Sequence, residues 1–232
     1  RRVAQSAADL LFPLMCLGCG KEGAIACHMC VAGVSFMPVC ACPLCGKERM
    51  DGRLCEGCAS AFFVDGVVGS FNYREQLIAK LIKAWKYNGM NAAGVEIERL
   101  LGGWVERAPW VREWVGGSAF VPVPLHRRRL CERGFNQAEL LARVWARLLC
   151  VPVVDCLERV RYTEAQAKQT GAARQKLSSG VFAMKKGVVL KAQKIILIDD
   201  VYTTGSTLNS AARTLREMGV MEVYGLVCAR ET

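Results

Sequence analysis

A chain of 232 residues with 52% hydrophobic and 22% charged side chains is too apolar to be disordered, and long enough for one large domain with a small appendage. Its net charge of +10 suits an anionic ligand, whether phosphate, pyrophosphate or nucleic acid. Its 13 cysteines are too many for a chance scatter, and the chain is too long for a small disulfide knot. The positive excess is concentrated: residues 121–194 hold 15 basic against 5 acidic side chains. Solvated lysines are the alternative reading of that stretch, and composition alone does not separate the two.

The amino-terminal segment comes first. Residues 3–15 are mildly apolar, Asp9 interrupts them, and no signal-peptide cleavage pattern follows. Gly23 to Gly46 has no charged residue and reaches membrane-spanning length, but five cysteines, His28, Pro38 and Pro43 fit metal ligation better than lipid. The expectation is a soluble, cytoplasmic protein. Nine cysteines precede residue 60, and the pairs Cys16-x-x-Cys19, Cys27-x-x-Cys30, Cys42-x-x-Cys45 and Cys55-x-x-Cys58 make two sets of four thiolates. Two intervening residues let a tight turn aim both sulfurs at one ion, and a four-sulfur tetrahedron selects zinc or, less often, iron. The spacing permits sequential sites (Cys16, Cys19, Cys27, Cys30, then Cys42, Cys45, Cys55, Cys58) or a crossed arrangement. Cys40 and His28 are bystanders in this reading. The zinc is structural, since no ligand position looks open, and the segment is expected to fold only when metallated. The compositional boundary gives a zinc-ribbon domain over 1–60 and a second domain over 61–232.

Beyond residue 60, strands and helices alternate. Val67 to Tyr73 reads as a strand. Glu75 to Tyr87 reads as a helix with Leu77, Leu81, Ile82 and Trp85 on one face and Lys80, Lys83 and Lys86 largely on another, ended by Asn88-Gly89. A helix over 92–107, a strand from Ala119 to Val123 and a helix from Asn136 to Leu149 follow, then an apolar run from Val151 to Leu157. Residues 161–180 show no sustained apolar pattern and read as a polar loop with one short helix. Lys194 to Ile198 is a buried strand, Ser206 to Met218 a helix, and Val220 to Val227 a final strand. Such alternation means an α/β fold with a mostly parallel sheet. The cysteines outside the pairs (Cys131, Cys150, Cys156, Cys228) sit in apolar surroundings.

The decisive stretch runs from Ile195 to Leu208. Four apolar β-formers lead into Asp199 and Asp200, and a loop of hydroxyls around Gly205 then opens a helix. Ligands of parallel α/β sheets bind beyond the carboxyl ends of strands, and amides at a helix start make an anion site. No Gly-x4-Gly-Lys and no GxGxxG occurs. Paired acids after a strand are also found in phospho-accepting receiver domains, but there much of the sheet is still to come, whereas some 30 residues follow here. Helix capping by Thr204 or Ser206 explains one hydroxyl, not two acids followed by small polar residues.

Asp199 to Thr207 resembles the ribose-phosphate signature of the type I phosphoribosyltransferases. More narrowly, the chain resembles the ComF family, the competence-associated proteins of bacterial DNA uptake. The likeness spans the paired cysteines, Tyr73 with Lys86-Tyr87-Asn88-Gly89, Val121-Pro122-Val123-Pro124-Leu125-His126, and Arg133-Gly134-Phe135-Asn136-Gln137. The resemblance implies a type I phosphoribosyltransferase fold preceded by a small double zinc ribbon. It implies that Asp199 and Asp200 hold the ribose hydroxyls of phosphoribosyl pyrophosphate. Val201, Thr203, Thr204, Gly205, Ser206 and Thr207 would form the 5′-phosphate loop, and Arg127, Arg128, Arg129 and Arg174 would meet pyrophosphate or nucleic acid. Mg²⁺ would bridge pyrophosphate and ribose, and the 161–176 loop, with Gln166 and Arg174, would close over the site. Two functions are expected: a pentosyl-transferring enzyme, or a non-catalytic factor holding single-stranded DNA and partner proteins of DNA uptake.

Overall fold

The computed structural model describes residues 14–37, 42–47, 52–87, 90–161 and 180–231. Its strands are β1 (Gly66–Asn72), β2 (Ser118–Pro122), β3 (Leu157–Arg159), β4 (Phe182–Met184), β5 (Lys194–Tyr202) and β6 (Glu222–Arg230). Its helices are α1 (His28–Ala32), α2 (Glu56–Ala59), α3 (Gln76–Tyr87), α4 (Asn91–Arg107), α5 (Trp110–Trp114), α6 (Arg127–Arg133), α7 (Gln137–Leu149) and α8 (Ser206–Glu217). Strands buried on both faces need unbroken apolar runs, and Ile195 to Ile198 meet that need with no exposed surface. The main sheet has four strands in the order β1-β6-β5-β2 and every pairing is parallel, as expected for this fold class.

Two apolar cores flank the sheet. One joins Ile196 and Ile198 to Leu77, Leu81 and Trp85 of α3, Leu101 and Trp104 of α4, and Leu141 and Trp145 of α7. The other joins Ile195 and Leu197 to Leu208, Ala211 and Leu215 of α8 and to Phe182 of β4. Both reach into the amino-terminal segment. Ile25, Ala26 and Val34 belong to the first core, and Cys42 and Leu54 to the second. Backbone bonds also cross residue 60: the Met37 amide donates to the Ser70 carbonyl, the Leu54 amide to Asp65 and the Val67 amide to Gly52.

Several elements differ from the expectation. The strand begun at Lys194 continues to Tyr202, so Asp199, Asp200 and Val201 lie in it rather than in the loop; pairing to Val227 and Ala229 of β6 extends it past the apolar run. The last strand is displaced to Glu222–Arg230. α5, α6 and the antiparallel β3–β4 pair were not foreseen, because each is too short to show a period. Cys156 and Cys228 are buried as expected, but Cys131 and Cys150 are exposed, the first on α6 and the second just past α7, where its left-handed turn ends the helix. The Asn88-Gly89 helix stop, Cys40, and Gln166 and Arg174 of the proposed closing loop lie outside the described residues. Among the described residues no helix is long and apolar enough to cross a membrane.

Candidate functional site

The paired cysteines meet in sequential order. Cys16, Cys19, Cys27 and Cys30 bring their sulfurs within 4.8 Å of one another, as do Cys42, Cys45, Cys55 and Cys58, which removes the crossed arrangement. Zinc–thiolate bonds of about 2.3 Å place tetrahedral sulfurs about 3.8 Å apart. The Cys19 and Cys27 sulfurs are 3.7 Å apart and those of Cys45 and Cys55 3.5 Å. Both groups are therefore compatible with one structural zinc ion each. In each, the amide of the third cysteine donates to the first sulfur, Cys27 to Cys16 at 3.3 Å and Cys55 to Cys42 at 3.4 Å. Burial opposes ionisation of Cys16 and Cys42, but amide donors outweigh it and bring both thiols down to about 6. Cys30 and Cys58 are pushed up to about 12, chiefly by hydrogen bonding to Cys27 and Cys55. Such groups bind a cation by giving up shared protons. His28 belongs to neither group.

The second site lies at the carboxyl end of β5, between β6 and β2. Asp199 and Asp200 are half-buried there. The Asp200 amide donates to Asp199 Oδ1 at 2.8 Å, and Lys86 Nζ of α3 donates to Asp200 Oδ1 at 2.7 Å. Asp199 is pushed up to about 7, first by burial and then by the neighbouring Asp200 carboxylate; Lys86, the Asp200 amide and Arg159 oppose the shift. Thr203, Thr204 and Ser206 are exposed, and Thr204 Oγ1 bonds Ser206 Oγ at 3.2 Å. Gly205 is buried in the left-handed region at φ 72°, and a Cβ there would stand 2.7 Å from the Tyr202 hydroxyl. Only glycine turns the chain here and lies flat on that ring. Ser206 then begins the 12-residue α8, whose first amides face the loop.

The arginine triplet opens α6. His126 accepts the Arg128 amide through Nδ1 at 3.3 Å, so this histidine caps a helix. Arg127 and Arg128 are exposed, and Arg128 pairs with Glu132 at 3.2 Å. Arg129 is the half-buried member of the triplet, and its charge and that of Asp199 act in opposite senses on Arg159 of β3. Asn136 caps α7 by accepting the Ala138 amide at 3.1 Å and ties it to β2 by donating to the Val123 carbonyl at 3.1 Å. Phe135 packs on Trp85 of α3, with ring centres 5.8 Å apart.

With this geometry in view, the comparisons with known proteins are informative. A family model described as "Phosphoribosyl transferase domain" matches residues 136–230, from the cap of α7 to the end of β6. Competence protein F of Haemophilus influenzae is 30% identical over 228 residues, spanning 94% of this chain and 98% of that protein. The chain belongs to the competence protein F family. Within it, the similarity extends to competence protein ComFC of Bacillus subtilis, 29% identical over 83% of this chain and 78% of that one. DNA utilization protein YhgH of Escherichia coli K12 is 34% identical over 44% of this chain and 45% of that one. A solved structure of the allosteric regulatory enzyme of purine biosynthesis overlaps 47% of this chain and 21% of that chain, at 22% identity and a TM-score of 0.30.

Two residues of the crevice, Lys86 and Arg159, had no site role in the sequence reading. Lys86 lies six residues beyond Lys80 on a helix whose lysines look like a solvated face, and only the packing of α3 on the sheet brings it to Asp200. Arg159 sits on a three-residue strand with no pattern of its own. The likeness around Lys86-Tyr87-Asn88-Gly89 was the one available signal for the first; the second had none.

Proposed function

We propose that this ComF-family protein binds phosphoribosyl pyrophosphate together with Mg²⁺ in the crevice beyond β5 and serves DNA uptake as a phosphoribosyltransferase-type protein. One observation carries the reading. Within seven residues, a central parallel strand delivers Asp199 and Asp200, and a left-handed Gly205 opens the amino end of α8. Asp199 and Asp200 accept the ribose hydroxyls. Thr203, Thr204, Gly205, Ser206 and Thr207 surround the 5′-phosphate with amide and hydroxyl donors. Arg129 and Arg159 offset the charge of pyrophosphate. Mg²⁺ prefers oxygen donors, and the two carboxylates beside a phosphate site are of that kind. Bound there, the ion supplies charge neutralisation on the pyrophosphate. The chain itself contributes position and preorganised donors, which suffice for pentosyl transfer through a cation-like sugar centre. Structural zinc fills the two thiolate groups, and so many free thiols fit a reducing, cytoplasmic setting. The names of the Haemophilus and Escherichia relatives support a place in DNA uptake.

Calorimetry tests the reading. The full chain with Mg²⁺ is expected to bind phosphoribosyl pyrophosphate, and the double variant Asp199→Asn, Asp200→Asn to lose at least about 100-fold in affinity, since charge-assisted bonds to both hydroxyls disappear. Undiminished binding by the double variant ends the assignment. A second reading, retention of single-stranded DNA, rests on exposed Arg127 and Arg128. It requires DNA binding that weakens with salt and on replacing these arginines.

A further inference from the structure

α3 is moored to three parts of the chain. Just before it, Glu75 Oε1 accepts the Ser35 amide at 3.0 Å. Within it, Lys80 Nζ donates to the Leu17 carbonyl at 2.8 Å. In its last turn, Lys86 Nζ donates to Asp200 Oδ1 at 2.7 Å. Leu17 stands between Cys16 and Cys19, so the carbonyl that Lys80 holds belongs to the first metal-binding turn itself. That turn is tightly closed. Its Leu17 amide donates to the Ile25 carbonyl at 2.9 Å, the Gly20 amide donates to the Cys16 carbonyl at 2.8 Å, and a Cβ on Gly18 would stand 2.7 Å from the Cys30 sulfur. Ile25, Ala26 and Val34 share the apolar core of Leu77, Leu81 and Trp85 of α3. An exposed lysine bond is weak alone, so this packing supplies most of the hold and the two hydrogen bonds set its register. Six residues of α-helix advance about 9 Å and turn through about 240°. One stiff rod thereby offers Lys80 to the metal turn and Lys86, whose side chain is only 16% exposed, to the crevice. Lys83 between them is exposed and without a partner among the described residues.

We propose that Lys86 is the positioning residue of Asp200, and that the first four-thiolate turn, docked on α3, holds Lys86 in place. With the turn closed, α3 keeps its register on the sheet and the ammonium stays on Asp200 Oδ1, fixing that carboxylate at the mouth of the crevice. With the turn open, Glu75 and Lys80 lose their partners, Ile25 and Ala26 leave the core, and the Lys86 arm is released. That Asp200 serves a ribose rests on the function proposed above, but the hold on Lys86 is measurable without any ligand.

The test uses the metal-loaded full chain and trace labelling of lysine amines with N-acetoxysuccinimide, read by peptide mass spectrometry. In wild type, Lys86 is expected to label more slowly than Lys83, its neighbour on the same helix. Cys16→Ser with Cys27→Ser should raise labelling of Lys86 about fivefold or more, as local opening does, and leave Lys83 within about twofold. Cys42→Ser with Cys55→Ser should leave both lysines within about twofold of wild type. Equal labelling of Lys86 and Lys83 in wild type, an unchanged Lys86 in the first variant, or the same rise in both variants overturns the proposal. If the first variant does not fold, Glu75→Ala with Lys80→Met decides, because it removes both hydrogen bonds and keeps every cysteine. Faster labelling of Lys86 in it, reversed in Glu75→Gln with Lys80→Arg, supports the proposal. Wild-type labelling, or a rise that the conservative pair does not reverse, overturns it. Calorimetry with phosphoribosyl pyrophosphate separates the two proposals. Absent binding with the labelling pattern intact strikes only the function proposed above, and wild-type affinity with unchanged labelling in the first variant strikes only the role of Lys86.

Discussion

The two four-thiolate centres are near copies in local geometry and differ in what they hold. Each closes a pair of Cys-x-x-Cys turns with the same amide-to-sulfur bond and nearly the same sulfur spacing. The first leans on the helical layer: Ile25 and Ala26 pack in the α3–α4–α7 core, and Lys80 of α3 donates to the Leu17 carbonyl at 2.8 Å. Six residues further along the same helix, Lys86 reaches Asp200. The second centre leans on the opposite face, in the core that holds Tyr202 and Leu208. A pair of like modules thus props the two walls of one crevice. The module's own sequence builds the metal site, and its docking partner sets what the metal stabilises.

Substituting cysteines tests this division most severely. Cys42→Ser with Cys55→Ser is expected to remove one equivalent of metal and to raise amide exchange at 203–207 by about tenfold or more, as local opening of a weakly held loop would. Cys16→Ser with Cys27→Ser should remove one equivalent and leave that loop within about twofold of wild type. Metal analysis and exchange mass spectrometry decide, and equal loop effects would break the comparison. Lys86→Met probes the other wall. It strands a half-buried Asp200 and should cost about 2–3 kcal/mol in denaturant unfolding of the metal-loaded protein, somewhat less than a fully buried pair.

Glycine substitutions sharpen the contrast at lower energy. Gly205→Ala combines a left-handed φ with a clash on Tyr202 and should cost about 2 kcal/mol. Gly20→Ala and Gly46→Ala, at φ 74° and 73° with no heavy atom within 4 Å, should cost about 1 kcal/mol each and match one another. Urea midpoints check all three. The last test is in pH dependence. Burial and the neighbouring Asp200 push the folded Asp199 carboxyl up to about 7, against about 3.9 in an unfolded chain. Between those values the folded protein keeps a proton that the unfolded chain has released. Stability therefore falls as pH rises from about 4 to about 7 and is level above. In the metal-loaded, ligand-free protein, the melting temperature of Asp199→Asn minus that of wild type should be larger at pH 8 than at pH 5. A constant difference would contradict the burial of that carboxyl.

Much of this architecture was legible in the residues because each signal was local and strong. Ile195 to Ile198 and Gly205 announce a strand and a turn into a helix, and both are present, with the strand running on through the two acids to Tyr202. Leu77, Leu81, Ile82 and Trp85 mark the inner face of α3 at helical spacing. Short pieces were not legible. α6 has seven residues and β3 three, fewer than a period needs, so the helix that carries the arginine triplet and the strand that carries Arg159 passed unseen. Lys86 is a different kind of omission, since no feature of its own helix separates it from Lys80 and Lys83.

The sequence by itself determined which atoms meet along a few residues of chain: the cysteine pairs, the acid pair, and the glycine that must take a left-handed turn. These depend on bond geometry and nearest-neighbour chemistry, which act whatever the rest of the molecule does. Only the tertiary structure decided the sequential pairing of the thiolates, the lysine that answers Asp200, and the arginine of the triplet that is half-buried. Those outcomes depend on burial and on charges brought together from far along the chain, and such energies exist only once the sheet has closed its two cores.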